Sequence, residues 1–137
     1  MTAPENRVLD SVTGPELLDE IHRALAYCWA QHLDVPASVR MTVATGAAEI
    51  GANIVQYAGG GRPVPFRMDI EVLQHQVKVV FTDEGEPAAV DLDAISTPDV
   101  LAERGRGLAL ASAVLDGLSY HRHRNCNRWT LISRSFG

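Results

Sequence analysis

The spacing of apolar residues changes twice along this chain of 137 residues. Leu17, Leu18, Ile21, Leu25, Cys28, Trp29 and His32 recur three and four apart, which predicts a helix with one buried face. Thr13 and Glu16 form a T-x-x-E capping pattern ahead of it, and Pro15 suits its opening turn. The stub before it, Arg7 to Val12, is read as a short edge strand. A second helix is predicted after Pro36, with Ser38 as a cap, running to Ala58 and ended by Gly59-Gly60-Gly61. Its stripe is Val39, Val43, Ala47, Ile50 and Ile54. At about 100° per residue, Glu49, Asn53 and Gln56 fall together on the border of that stripe, where polar groups can line a pocket.

Beyond Pro63 the period becomes two. Phe66, Met68, Ile70 and Val72 alternate with Arg67, Asp69 and Glu71; Val77, Val79 and Phe81 then alternate with Lys78 and Thr82. This predicts two half-buried antiparallel strands that turn near Gln74-His75. From Pro87 to Glu103 the periodicity is weak, which marks a long loop, and loops of that length in a compact domain usually serve function. A third helix opens at Gly105 or Gly107, with Leu108, Ala111, Val114, Leu115 and Leu118 on one face and Gly117 as its C-terminal cap. A last hairpin joins Leu118 to Arg124 with Arg128 to Phe136. The order predicts an α+β fold, a two-layer α/β sandwich in which helices cover one face of a mixed or mainly antiparallel sheet.

Composition narrows the picture. With 46% hydrophobic and 21% charged residues the chain is an ordinary globular one, expected to form a single domain over residues 1–137. Its 17 acidic residues outweigh 12 scattered basic ones for a net charge of −5, which disfavours nucleic acid or an anionic membrane as the main partner. No apolar run approaches the roughly 18 residues of a membrane span, and MTAPENRVLD has no signal-peptide pattern, so a cytoplasmic location is expected. Cys28 and Cys126 are read as free thiols. The run Tyr120-His121-Arg122-His123-Arg124-Asn125-Cys126 carries zinc-ligand types but no evident fourth ligand, and reads first as a basic strand end. Trp29 and Trp129 read as core or interface anchors.

Three segments carry candidate chemistry. Glu49 and Asn53 lie one turn apart on the second helix, where a carboxylate can take a hydroxyl proton and an amide oxygen can join a Mg²⁺ shell; a solvated helix flank would look the same. Asp83-Glu84-Gly85-Glu86-Pro87 follows a strand, so Asp83 can accept from an exocyclic amine while Gly85 permits close backbone approach to a flat ring; a solvated turn is the alternative. Arg104-Gly105-Arg106-Gly107-Leu108 opens a helix, whose free N–H groups and dipole favour an anion, with two guanidinium groups beside them. Neither G-x-x-x-x-G-K-[ST] nor G-x-G-x-x-G occurs, so a bound nucleotide would be held in another way.

In this order, Glu49-x-x-x-Asn53, Asp83-x-Gly85-x-Pro87 and Arg104-Gly105-Arg106-Gly107-Leu108 resemble the N, G1 and G2 boxes of the GHKL (Bergerat-fold) ATPases. The resemblance extends from about Arg7 to Phe136, and the length of the chain selects the anti-sigma-factor serine/threonine kinase branch, whose ATP-binding domain stands alone. It implies ATP and Mg²⁺ as cofactors, Glu49 as general base, Asn53 as Mg²⁺ ligand, and Asp83 and Gly85 at adenine. Arg104, Gly105, Arg106, Gly107 and Leu108 are implied at the phosphates, with Ala88 to Glu103 as the ATP lid. The implied partners are a sigma factor and a STAS-type anti-anti-sigma protein, the implied role is transcription regulation in a stress response, and a homodimer is suggested. Tyr57 stands where the family often has histidine, and the triple glycine replaces a longer polar linker. The alternative is a non-catalytic interaction module of the same fold whose nucleotide pocket is vestigial.

Overall fold

The computed structural model describes residues 6–88 and 103–137, with the side chains of 103–106 left aside. In chain order the elements are β1 (Arg7–Val12), α1 (Leu17–Gln31), α2 (Ala37–Tyr57), β2 (Pro65–Val72), β3 (Val77–Asp83), α3 (Glu103–Val114), β4 (Gly117–His123) and β5 (Cys126–Ile132). The strands form one sheet in the order β1-β2-β3-β5-β4, and every neighbouring pair is antiparallel. Of the two sheet types left open by the sequence, the antiparallel one is therefore realised. The core follows from the two periods. Phe66, Met68 and Ile70 of β2, Val77, Val79 and Phe81 of β3, and Trp129 and Leu131 of β5 all point to one face, against the stripes of α1 and α2 and Leu108 and Ala111 of α3. Each fully buried large side chain here contributes about 1.5–3 kcal/mol relative to exposure.

The polar ends of the elements depart from the sequence reading in specific ways. The T-x-x-E capping box does not form: Glu16 takes the N-cap position of α1 in a helical conformation without a side-chain cap. Thr13 instead pairs with the chain entering β2, its hydroxyl accepting from the Val64 N–H at 3.0 Å and its own N–H donating to the Val64 carbonyl at 2.9 Å. The approach of β1 to β2 thus takes the hydroxyl that a cap would have used. Ser38 is no cap either, because Pro36 holds that position of α2 in an extended conformation. The α1–α2 link is closed by Arg40, which donates to the carbonyls of Val35 at 2.8 Å and Leu33 at 3.2 Å.

At the other end α3 begins at Glu103, ahead of its glycines, and Gly117 opens β4 opposite Ile132 instead of capping the helix. The final hairpin turns on Arg124 and Asn125, with Arg124 in the left-handed region at φ 56°. Strand β5 stops at Ile132, short of the expected Phe136, whose N–H donates to the His75 carbonyl at 2.9 Å beside the β2–β3 turn. The loop expected from Pro87 to Glu103 lies outside the described residues between 89 and 102. Both cysteines are free, and burial pushes the Cys28 thiol above its ordinary pKa.

The Thr13 pairing separates two roles experimentally. Thr13→Val leaves the part-buried Val64 N–H without its side-chain acceptor and should lower unfolding stability by about 1 kcal/mol. Glu16→Ala, which a capping box would punish, should stay within about 0.5 kcal/mol of the parent in urea unfolding.

Candidate functional site

The alternation that builds the core of β3 ends on a carboxylate. Asp83 is in phase with Val79 and Phe81 and is only 1% exposed. Opposite it in β5, Asn127 is in phase with Trp129 and Leu131 and equally buried. The two polar side chains therefore meet at one end of the sheet, beneath the C-terminal half of α2. Asn53, Ile54 and Tyr57 of α2, with Asp83, Asn127 and Trp129, line a cavity of about 140 Å³ that Glu86, Pro87 and Ala88 complete.

Asp83 is half satisfied. Its Oδ1 accepts from the Gly85 N–H at 2.9 Å and from the Asn127 amide at 2.8 Å. Its Oδ2 is buried and has no partner among the described residues. Burial raises the carboxyl pKa above its ordinary value, against the lowering pull of the Asn127 and Gly85 hydrogen bonds and the Arg122 charge. A buried acceptor left unpaired costs about 1–3 kcal/mol, more when charged, so this oxygen marks a place for a donor.

The segment after β3 is fixed against the end of α2. A Cβ at Gly85 would fall 2.2 Å from the Ala58 carbonyl oxygen, so only glycine fits there. The Glu86 N–H donates to that same carbonyl at 2.7 Å, and Arg122 donates to the Gly85 carbonyl at 2.6 Å. Asp83 and Gly85 are buried while Glu84 and Glu86 face outward, so the segment is more than a solvated turn.

Glu49 lies further back along α2, about 6 Å of helix rise from Asn53. A Cβ on Gly107 would stand 2.7 Å from Glu49 Oε2, so the carboxylate rests against the backbone of α3 where a side chain would exclude it. The fold thus places the three segments as two neighbouring groups: Asn53 with Asp83 at the cavity, Asp83 being held by Gly85 just outside it, and Glu49 with Gly107 where α2 meets α3. Gly105 lies in the opening turns of α3, while the side chains of Arg104 and Arg106 lie outside the described residues. Leu108 points into the core at 2% exposure, which gives its side chain a packing role. Gln56, expected beside Asn53, is exposed and does not line the cavity.

Sequence reading missed Asn127, Tyr120 and Arg122. The Tyr120 hydroxyl donates to the Asn127 side-chain oxygen and accepts from the Ala88 N–H at 2.9 Å. A legible signal was the amide of Asn127 in phase with the core-facing Trp129 and Leu131 of β5. A larger open groove of about 810 Å³ runs between α1 and the β1–β2 edge, lined by Arg7, Glu20, Arg23 and Glu71 among others, but holds none of the three segments. Among the described residues no three His, Cys, Asp or Glu side chains gather where a metal could sit. Nor is any described helix long and apolar enough to cross a membrane.

Residues 13–133 match the family described as histidine kinase-like ATPase domain. The chain belongs to that family. No curated protein sequence matches it. Among solved structures, this ATPase domain resembles the histidine kinase domain of the Erythrobacter litoralis EL346 blue-light activated histidine kinase, with a TM-score of 0.56 and 17% identity. That match covers 85% of this chain and 60% of that one. It also resembles the Acinetobacter baumannii histidine kinase AdeS, with a TM-score of 0.52 and 16% identity over 93% of this chain and 68% of that one. At these identities the likeness concerns the fold, and the chain spans under two-thirds of the first of these proteins. The antiparallel sheet under three helices is the fold of this ATPase family.

The half-satisfied carboxylate gives the domain a pH signature. Because the folded-state pKa of Asp83 is raised, its favourable contribution is complete below the ordinary value of 3.8 and is lost as pH rises through the folded-state value. Asp83→Asn keeps an acceptor for Gly85 and Asn127 without the charge. Its melting temperature should exceed the parent's near pH 7, with the advantage shrinking toward about pH 4 in thermal scans.

Proposed function

We propose that this domain binds ATP with Mg²⁺ at the Asn53–Asp83 cavity and acts as an anti-sigma factor with serine/threonine protein kinase activity. The observation that carries the nucleotide reading is the buried Oδ2 of Asp83, which has no donor among the described residues. Adenine presents an exocyclic amine that suits it, whereas guanine presents a carbonyl at the same ring position, acceptor against acceptor. Gly85 fixes Asp83 from behind through its N–H, and Ile54 and Trp129 give the cavity apolar walls. At about 140 Å³ the cavity is smaller than a whole-ligand pocket and suits the base end of a nucleotide.

The remaining residues take roles along α2 and α3. Asn53 would lend its amide oxygen to Mg²⁺. Backbone N–H groups in the first turn of α3, at Arg104, Gly105 and Arg106, would face the phosphates, while Gly107 keeps the space beside Glu49 open and Leu108 anchors the helix in the core. When bound, ATP supplies the phosphoryl group and Mg²⁺ offsets its charge. Glu49 would accept the proton of an attacking hydroxyl, a positioned carboxylate being what a weak nucleophile needs. Its place against Gly107 favours this role over a solvated flank.

The partners we assign are a sigma factor and a STAS-type anti-anti-sigma protein whose Ser or Thr is phosphorylated, so that the domain regulates transcription through protein contacts in the cytoplasm, as a homodimer. The net charge of −5 accords with protein partners over nucleic acid or membrane. The test is calorimetry with ATP, with and without Mg²⁺, followed by incubation of co-purified partner with labelled ATP. Asp83→Ala should weaken ATP binding about 10- to 150-fold. Asn53→Ala should lose the Mg²⁺-dependent part of binding while keeping its circular dichroism spectrum. Glu49→Gln should bind ATP normally and slow partner phosphorylation about 10²–10⁴-fold. A parent protein that binds ATP but transfers nothing would support the interaction module instead.

A further inference from the structure

Asn127 spends its entire hydrogen-bonding capacity inside the protein. Its amide nitrogen donates to Asp83 Oδ1 at 2.8 Å and to the Glu86 carbonyl at 2.6 Å. Its oxygen accepts from the Tyr120 hydroxyl and from Arg122 at 3.1 Å. An amide offers two donors and two acceptor lone pairs, so nothing remains for a ligand. The polarity of the amide is also fixed. The Glu86 carbonyl only accepts and the Arg122 guanidinium only donates, so together they dictate that the nitrogen faces Asp83 and Glu86 and the oxygen faces β4.

We infer that Asn127, held in this polarity by the Glu86 carbonyl and Arg122, is the positioning residue that selects which oxygen of Asp83 is left to read the base. Two N–H donors, from Asn127 and Gly85, occupy Oδ1, and Oδ2 is left for the cavity. The same amide holds the cavity floor, through its bond to Glu86 and through Tyr120, whose hydroxyl takes the Ala88 N–H and whose ring packs on Trp129 with centroids 4.7 Å apart. With Asn127 absent, Oδ1 would have only the Gly85 N–H, and the carboxylate could turn. This inference rests on the ATP reading for its ligand, but its geometry concerns the protein alone.

Two measurements test it together. The first compares binding of ATP with that of inosine triphosphate, in which a carbonyl replaces the exocyclic amine. Asn127→Ala should lower ATP affinity about 10- to 100-fold and collapse the preference for ATP, while in an Asp83→Ala background the same change should cost less than about twofold. Equal losses in both backgrounds, or an unchanged preference, would overturn the inference. Arg122→Met, at an exposed position that the core does not need, gives the same readout should Asn127→Ala fold poorly, with a smaller loss of preference.

The second measurement needs no nucleotide. Titration of the Asp83 carboxyl by NMR reports the groups that face it: the Asn127 amide, the Gly85 N–H and the Arg122 charge. Removing the Asn127 donor should move its midpoint upward from the parent's, and an unmoved midpoint would overturn the positioning role. A parent protein that ignores ATP, yet shows the shifted midpoint, would sink the nucleotide reading and leave the positioning of Asp83 standing.

Discussion

A carboxylate at the end of a core strand is costly unless its oxygens find donors, and among the described residues Asp83 finds them for one oxygen only. The surrounding structure follows from that constraint. Gly85 is needed so that the chain can fold back and donate to Asp83 while lying against the carbonyl of Ala58. Asn127 is needed opposite it in the sheet, and Tyr120 and Arg122 are needed to hold Asn127. A domain that needed only stability would place an apolar residue at position 83, in continuation of Val79 and Phe81.

Helix α2 connects this carboxylate to the rest of the site. One of its faces supplies Val43, Ala47, Ile50 and Ile54 to the core, and the border of that face carries Glu49 toward α3 and Asn53 toward the cavity. The spacing of the two polar residues is thus set by the same turn of helix that packs the core. Because α2 is held between α1 and α3 over the sheet, the positions of Glu49 and Asn53 are fixed by rigid elements, as a site needs for exact chemistry.

The period of apolar residues made the helices and the β2–β3 strands legible, with their shared buried face, since burial depends on which residues alternate and which recur with the helix, whereas β1 was too short to show a period of its own. The polar ends were less legible. Thr13 satisfies both a capping pattern and a strand pairing, and only the approach of Val64, 51 positions on, decides between them. Gly117 could end a helix or open a strand, and its pairing with Ile132 decided that. The candidate site divides in the same way. Glu49, Asn53, Asp83 and Gly85 stood in local motifs, whereas Asn127 becomes meaningful only when the register of β3 and β5 sets it across from Asp83. Arg122 and Tyr120 lie in a basic, histidine-bearing run with no local motif, and their contacts with Gly85 and Asn127 depend on the closing of the last hairpin.

The free oxygen of Asp83 is the proposed acceptor for the exocyclic amine of adenine. A crystal structure of the chain with ADP tests it most directly. The exocyclic amine should lie within about 2.7–3.2 Å of Asp83 Oδ2, with Oδ1 still bound to Asn127 and Gly85. A base seated away from Asp83, for example in the groove between α1 and the β1–β2 edge, would contradict it.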